Sequence, residues 1–187
     1  MNKKLLASLF ALSAVAVAAG AIAFEEYMPT TTVYSSSLML KGTPVELAED
    51  ADYAIVGTVS DMTPIRVSMS QPGDDDKVFT DVTLTVEEDV FGNYDEETII
   101  FRILGGEVDR LRLVAEESPE LRLGERLFVL IGEDPENYTF DGKNYLIGQA
   151  QGALEITADG QLVDKYRGDA YNKDLILNQT KQIRSTP

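Results

Sequence analysis

The stretch from Val78 to Gly92, VFTDVTLTVEEDVFG, sets the terms for the rest of the chain. Val82, Leu84 and Val86 alternate with Asp81, Thr83, Thr85 and Glu87. That is the period of a strand with one buried face and one wet face. Threonine and valine suit a pleated, half-buried surface, and Gly92-Asn93 ends the run. Such a strand needs partners, and the flanking sequence supplies them.

Tyr53–Met62, YAIVGTVSDM, is apolar on both faces over Ala54–Val56, which predicts a central strand. Gly57 predicts a bulge or sharp bend within it. Pro64 is expected to interrupt, leaving Ile65–Ser70 as an edge strand and Gln71–Lys77 as a loop. After the organising strand, Thr98–Leu104 places Ile99, Phe101 and Ile103 inward, and Gly105-Gly106 breaks it. Val108–Ala115 reads as one more alternating strand, with Leu111 and Leu113 set against Arg110 and Arg112. Ser118–Gly124 is a loop, and Glu125–Ile131, ERLFVLI, is a strand buried on both faces. Asp141-Gly142 and Asp159-Gly160 each sit between β-prone runs and predict two-residue hairpin loops. Gly148 and Gly152 predict a corner in a curved sheet.

Helices are few. Thr43, Pro44 and Glu46 form a capping box with proline at the first helical position, so a short helix is expected to run to about Asp52. Asp174–Ile183 is the second helical patch, with Leu175, Ile176, Gln179 and Ile183 on one face. The expected fold class is all-β, a closed or partly open barrel or a sandwich with one or two short helices. Closing the sheet hides its edges.

Before the barrel comes a leader. Lys3 and Lys4 precede the apolar run Leu5–Phe24, and Ala21-Ile22-Ala23 fits a small-x-small cleavage pattern. Cleavage between Ala23 and Phe24 makes this a signal peptide. The rival reading is an uncleaved hydrophobic helix, because about 20 residues span a bilayer of about 30 Å. On either reading Lys3 and Lys4 stay inside and the domain lies outside. The expected organisation is a leader over 1–23, an extended arm over 24–42, a barrel domain over 43–165 and a polar tail with a short helix over 166–187. The arm, Glu25–Leu40, reads as a tether, a first strand, or a segment that pairs with another molecule.

Composition narrows the chemistry. Cysteine and histidine are absent, which removes disulfides, thiolate metal sites and the side chain that titrates nearest neutrality. A formal net charge of -16 argues against nucleic acid and against anionic lipid as partners. Any membrane contact would run through the leader.

Several segments together resemble an uncharacterised family of exported bacterial and archaeal domains. They are Asp52–Val59, DYAIVGTV; Thr80–Glu87 with Val90-Phe91-Gly92; Gly105-Gly106-Glu107; Leu123-Gly124-Glu125-Arg126 with Leu127–Leu130; and Gly148–Gly152. The resemblance covers about Glu46 to Ile156. It implies an OB-like barrel of five strands, related in shape to the netrin and metalloproteinase-inhibitor module. That module inhibits through an N-terminal cysteine that clamps a metal. This chain has no cysteine, so the inhibitory chemistry does not carry over, and no catalytic residue comes with the resemblance.

Candidate sites are sparse. Asp74-Asp75-Asp76 is the densest acidic run and the calcium candidate, though the spacing is not that of an EF-hand and a solvated loop is the simpler reading. Asp134, Glu136 and Asp141 form a second such cluster. A carboxylate pair could run glycoside hydrolysis without histidine, but nothing singles one pair out. Ser60, Ser68, Ser70 and Ser118 lack a histidine base or a surrounding motif. Gly105-Gly106 lacks the Lys-Ser/Thr of a phosphate cradle and reads as a turn. Asn137 and Asn178 open N-glycosylation triplets. Tyr138, Tyr145, Tyr166 and Tyr171 fit a sugar-stacking face or ordinary packing. The expectation is a non-enzymatic binding or structural module at the cell surface, without a cofactor. It would meet a protein or glycan, or a second copy of itself through Thr30–Leu40. The alternative is an extracytoplasmic polysaccharide hydrolase that uses a carboxylate pair.

Overall fold

The computed structural model describes residues 30–35, 42–67, 76–133 and 143–185. The leader, the Ala23–Phe24 junction, Asp74, Asp75, Asn137, the Asp134/Glu136/Asp141 cluster and the Asp141-Gly142 turn lie outside them. The element order is β1 (Thr31–Ser35), α1 (Pro44–Glu49), β2 (Tyr53–Val67), β3 (Lys77–Asp89) and β4 (Thr98–Leu104). Next come β5 (Gly106–Val108), β6 (Leu111–Ala115), β7 (Arg126–Gly132), β8 (Tyr145–Leu146) and a 3-10 turn over Gln149–Gly152. The chain ends with β9 (Ala153–Ile156), β10 (Gln161–Asp164), β11 (Asp169–Asn172) and α2 (Lys173–Ser185). Strands take 52% of the described residues, with two short helices, as an all-β fold requires.

Five strands close a barrel in the order β7-β2-β3-β4-β8 and back to β7. Neighbours are antiparallel except β4 and β8. The closing strand has two residues. Ile131 pairs with Leu146 and Gly132 with Tyr145 on one side, and Arg102 pairs with Tyr145 on the other. Asn144 strengthens the seam: its carbonyl accepts from Arg102 N at 2.8 Å, and its Nδ2 donates to Ile100 O at 3.0 Å. The same edge of β7 that meets β8 also pairs with β9 over Leu127–Val129. From there β9, β10 and β11 continue as a side sheet.

This branching explains the doubly apolar runs. Ile55, Leu127, Val129 and Ile131 face the barrel interior with Val82, Leu84, Ile99 and Phe101. Ala54, Val56, Phe128 and Leu130 face the other way, into a second core with Leu154, Leu162, Ile176 and Leu177. β2 and β7 are thus a wall shared by two cores, and an apolar residue at every position is what such a wall needs.

Local signals fare unevenly. The capping box at Thr43 forms in full, with Glu46 N donating to Thr43 Oγ1 and Thr43 N to Glu46 Oε2. A register shift falls at Val56/Gly57, where a Cβ on Gly57 would lie 2.5 Å from Thr85 O. Pro64 does not break β2, which runs on to Val67 against β3. Past Thr58 no β7 residue pairs with β2, so a missing N–H there costs no second ladder. Val108–Ala115 is not one strand. Asp109 and Arg110 take φ 48° and 63° and fold it into the β5–β6 hairpin. At Asp159-Gly160 only Gly160 has positive φ, 79°, and Thr157 N reaches Gln161 O at 3.0 Å. The loop therefore holds three residues, with glycine in the left-handed position, rather than two.

In the segment 166–187, expected to be a polar tail, the described residues to 185 complete the side sheet with β11 and bury Ile176 and Leu177 of α2 in the second core. The buried face of α2 is Ile176, Leu177 and Thr180; Leu175 is 55% exposed. The face is rotated from the expected one because the neighbouring core sits beside Leu177, not beside Leu175.

Candidate functional site

One end of the barrel is roofed by the β5–β6 hairpin and by the segment Glu116–Leu121. The hairpin leaves β4 abruptly at Gly105 and Gly106, whose φ values are 109° and 136°. A Cβ on Gly106 would lie 2.7 Å from Thr80 Oγ1. The two glycines are therefore the fold-back point, as the turn reading expected. Beneath the roof lies a cavity of about 770 Å³, within the usual range for small-molecule pockets. Met62, Ile103, Leu113, Leu121 and Tyr166 give it apolar walls. Its serine and threonine hydroxyls are engaged: Thr80 Oγ1 donates to Gly105 O at 2.8 Å, and Ser118 Oγ donates to Leu104 O. Lys165 ties the rim together, donating to Glu120 O at 3.0 Å while paired with Glu125.

Ile103, Leu104, Ser118 and Pro119 also wall a second, smaller cavity of about 240 Å³. This one lies against the outer face of β3 and β4. Arg102 reaches it from β4 and is 3% exposed. The β3–β4 register sets Asp81 directly opposite, and the guanidinium grips it with two bonds, 2.6 Å from Nε and 2.9 Å from Nη2. The same guanidinium stands 5.7 Å from the Phe79 ring centroid. Bidentate pairing is how a buried guanidinium is tolerated. Two more charged residues line this cavity, Lys77 from β3 and Glu117 from the roof segment. Glu117 is 3% exposed. Its carbonyl accepts from Ala150 N at 2.9 Å, but among the described residues neither its carboxylate nor the Lys77 ammonium forms a hydrogen bond or ion pair.

A third cleft, about 250 Å³, holds Asp52, Tyr53, Glu133 and Arg184. Tyr53 donates its hydroxyl to Glu133 Oε1. That hydrogen bond, with burial and the negative charge of Glu133 and Asp52 adding to it, pushes the phenol up to about 12. Glu133 N donates to Asp52 Oδ2 at 2.8 Å. Arg184 stacks over Phe91 at 5.0 Å and donates to Ala51 O at 2.5 Å. This cleft brings two carboxylates together, but each has a structural partner.

The sites expected from sequence scatter. Asp76 is held by Arg66 at 2.7 Å, so one carboxylate of the acidic run is already occupied by a cation. Among the described residues no group of three or more acidic side chains is placed to hold a metal ion. Asn178 is exposed on α2, but Thr180, the third residue of its triplet, is fully buried. Tyr166 borders the larger cavity and is 54% exposed, whereas Tyr171 packs against the second core. Sequence reasoning did not single out Lys77, Arg102 or Glu117. An arginine at an outward position of β4 opposite an aspartate on β3 is a signal only once the register is known. Compared with known proteins, the chain matches no family model and no curated protein.

Proposed function

We propose that this protein is an exported, non-enzymatic binding module of OB-like type, acting at the cell surface on a small ligand or on a short stretch of protein or glycan. The ring order β7-β2-β3-β4-β8, with its single parallel pair, supports the OB-like reading. The observation that carries the binding reading is the roofed end of the barrel. Two cavities meet there, and Thr80 and Ser118 in their walls donate their hydroxyls to backbone carbonyls. A nucleophile needs an adjacent base and a free hydroxyl, and neither Ser118 nor Thr80 has both. The arm offers a second mode of contact. From Thr32 on, β1 pairs with β6 and is the end strand of its sheet, with Tyr34 75% exposed. Its outer edge suits strand addition by a neighbouring copy.

The test is a thermal-shift screen of the protein from Phe24 onward against short peptides and oligosaccharides, with product release followed in the same samples. A saturable rise in melting temperature without turnover, abolished by filling the larger cavity with Ala115→Trp, supports the reading. Release of reducing ends would replace it with the hydrolase alternative, and no shift with any ligand class would overturn binding altogether.

A further inference from the structure

The smaller cavity contains two charges that the fold does not use. Glu117 is 3% exposed, and its carboxylate has no partner among the described residues. Lys77 is half-buried and likewise unpaired. They line the same 240 Å³ space without forming an ion pair with each other. Arg102 grips Asp81 with two bonds and forms no ion pair with Glu117. Burying a charge without a partner is expensive. Strained or unpaired buried groups of this kind gather where a ligand completes them.

We propose that this cavity binds a zwitterion of amino-acid size, its ammonium on Glu117 and its carboxylate on Lys77. An anion alone would satisfy Lys77 and leave Glu117 bare, and a cation alone would do the reverse. A ligand that carries both signs a few bonds apart completes both, with charge-assisted hydrogen bonds at each end. The volume holds about eight waters, which suits a single amino acid rather than a peptide. Phe79 and Leu146 give the remaining wall an apolar character, so an aliphatic side chain fits better than a polar one. This inference deepens the binding-module reading and rests on it.

The test is titration calorimetry of the same protein with free leucine, isopentylamine, 4-methylpentanoate and N-acetyl-leucine amide. Leucine is expected to bind at one site, and each of the other three to bind at least about 30-fold more weakly, the loss expected when one partner of a buried charge pair is missing. Glu117→Gln and Lys77→Met should each weaken leucine by a similar factor while leaving the circular dichroism unchanged. If either variant fails to fold, competition by saturation-transfer NMR on the wild type decides, because an equimolar amount of either singly charged analogue must leave the leucine methyl signal essentially unchanged. No leucine binding at millimolar concentration, or binding indifferent to both substitutions, overturns the zwitterion site. The binding-module reading survives that result if other ligands still give shifts abolished by Ala115→Trp; if nothing binds, both fall.

Discussion

Thr180 offers a clean measurement of what an unmet polar group costs this fold. It sits in α2 between Leu177 and Ile183, is 0% exposed, and its Oγ1 has no hydrogen-bond partner. Thr180→Val keeps the branched shape and exchanges the stranded hydroxyl for a methyl group. A buried polar group left unpaired costs about 1–3 kcal/mol. Threonine and valine have similar helix propensity, so the backbone term nearly cancels. The slightly larger methyl consumes part of the gain, which leaves a net stabilisation of about 1–2 kcal/mol. For a chain of this size about 2–4 °C accompanies each kcal/mol, so the melting temperature should rise by about 2–8 °C. Thr180→Ser is the control: it retains the hydroxyl and loses a buried methyl, and should fall by about 1 kcal/mol. Calorimetry and urea unfolding on protein made without glycosylation check both. Valine at or below wild type, with an unchanged urea slope, would refute the argument, because it would mean the hydroxyl finds a partner in solution.

Asp81→Asn leaves Arg102 buried with its main partner gone. A broken buried pair usually costs about 3–5 kcal/mol, and because the Asp81 side chain is 23% exposed the expected loss is about 2–4 kcal/mol, read by urea unfolding; replacing both residues, Arg102→Met with Asp81→Leu, should recover most of it. Tyr53 stays neutral in the fold up to about 12, above its usual value of about 10. Its contribution is therefore complete below pH 10 and is lost between pH 10 and about 12, so the difference in melting temperature between wild type and Tyr53→Phe should shrink across that window; a constant difference would remove the Glu133 bond from the account. Gly152→Ala would put a Cβ 2.0 Å from Ile147 O and should cost about 3 kcal/mol. Gly160→Ala meets open space at φ 79° and should cost about 1 kcal/mol, so equal melting temperatures for the two variants would contradict the geometry.

What could be read from the sequence was local or periodic. The Thr43–Glu46 box is complete within one helical turn, and the alternation around Val82 and Leu84 reports one buried face. The runs at Ala54–Val56 and Leu127–Ile131 report two. What escaped depends on neighbours distant in sequence. Pro64 is harmless only because β7 has ended beside it. Asp109-Arg110 turns without glycine because the hairpin around it holds the shape. The face of α2 is chosen by the core it meets. Lys77, Arg102 and Glu117 arrive from three segments, and no spacing in the chain announces that they will share one cavity.

The shared wall also bears on how the molecule can assemble. Tyr53 pairs with Ile131, and Thr58 with Arg126, so the first barrel strand, paired early with β3, waits for its second partner until much later in the chain. Closing so long a loop is entropically costly and slows folding. A fragment that stops before Arg126 can pair β2, β3 and β4 and carries one face of the barrel core, but it lacks β7, the wall that both cores share, so neither core can close. Closure of both cores therefore waits on one late event, the arrival of residues 126–131 beside residues 53–58.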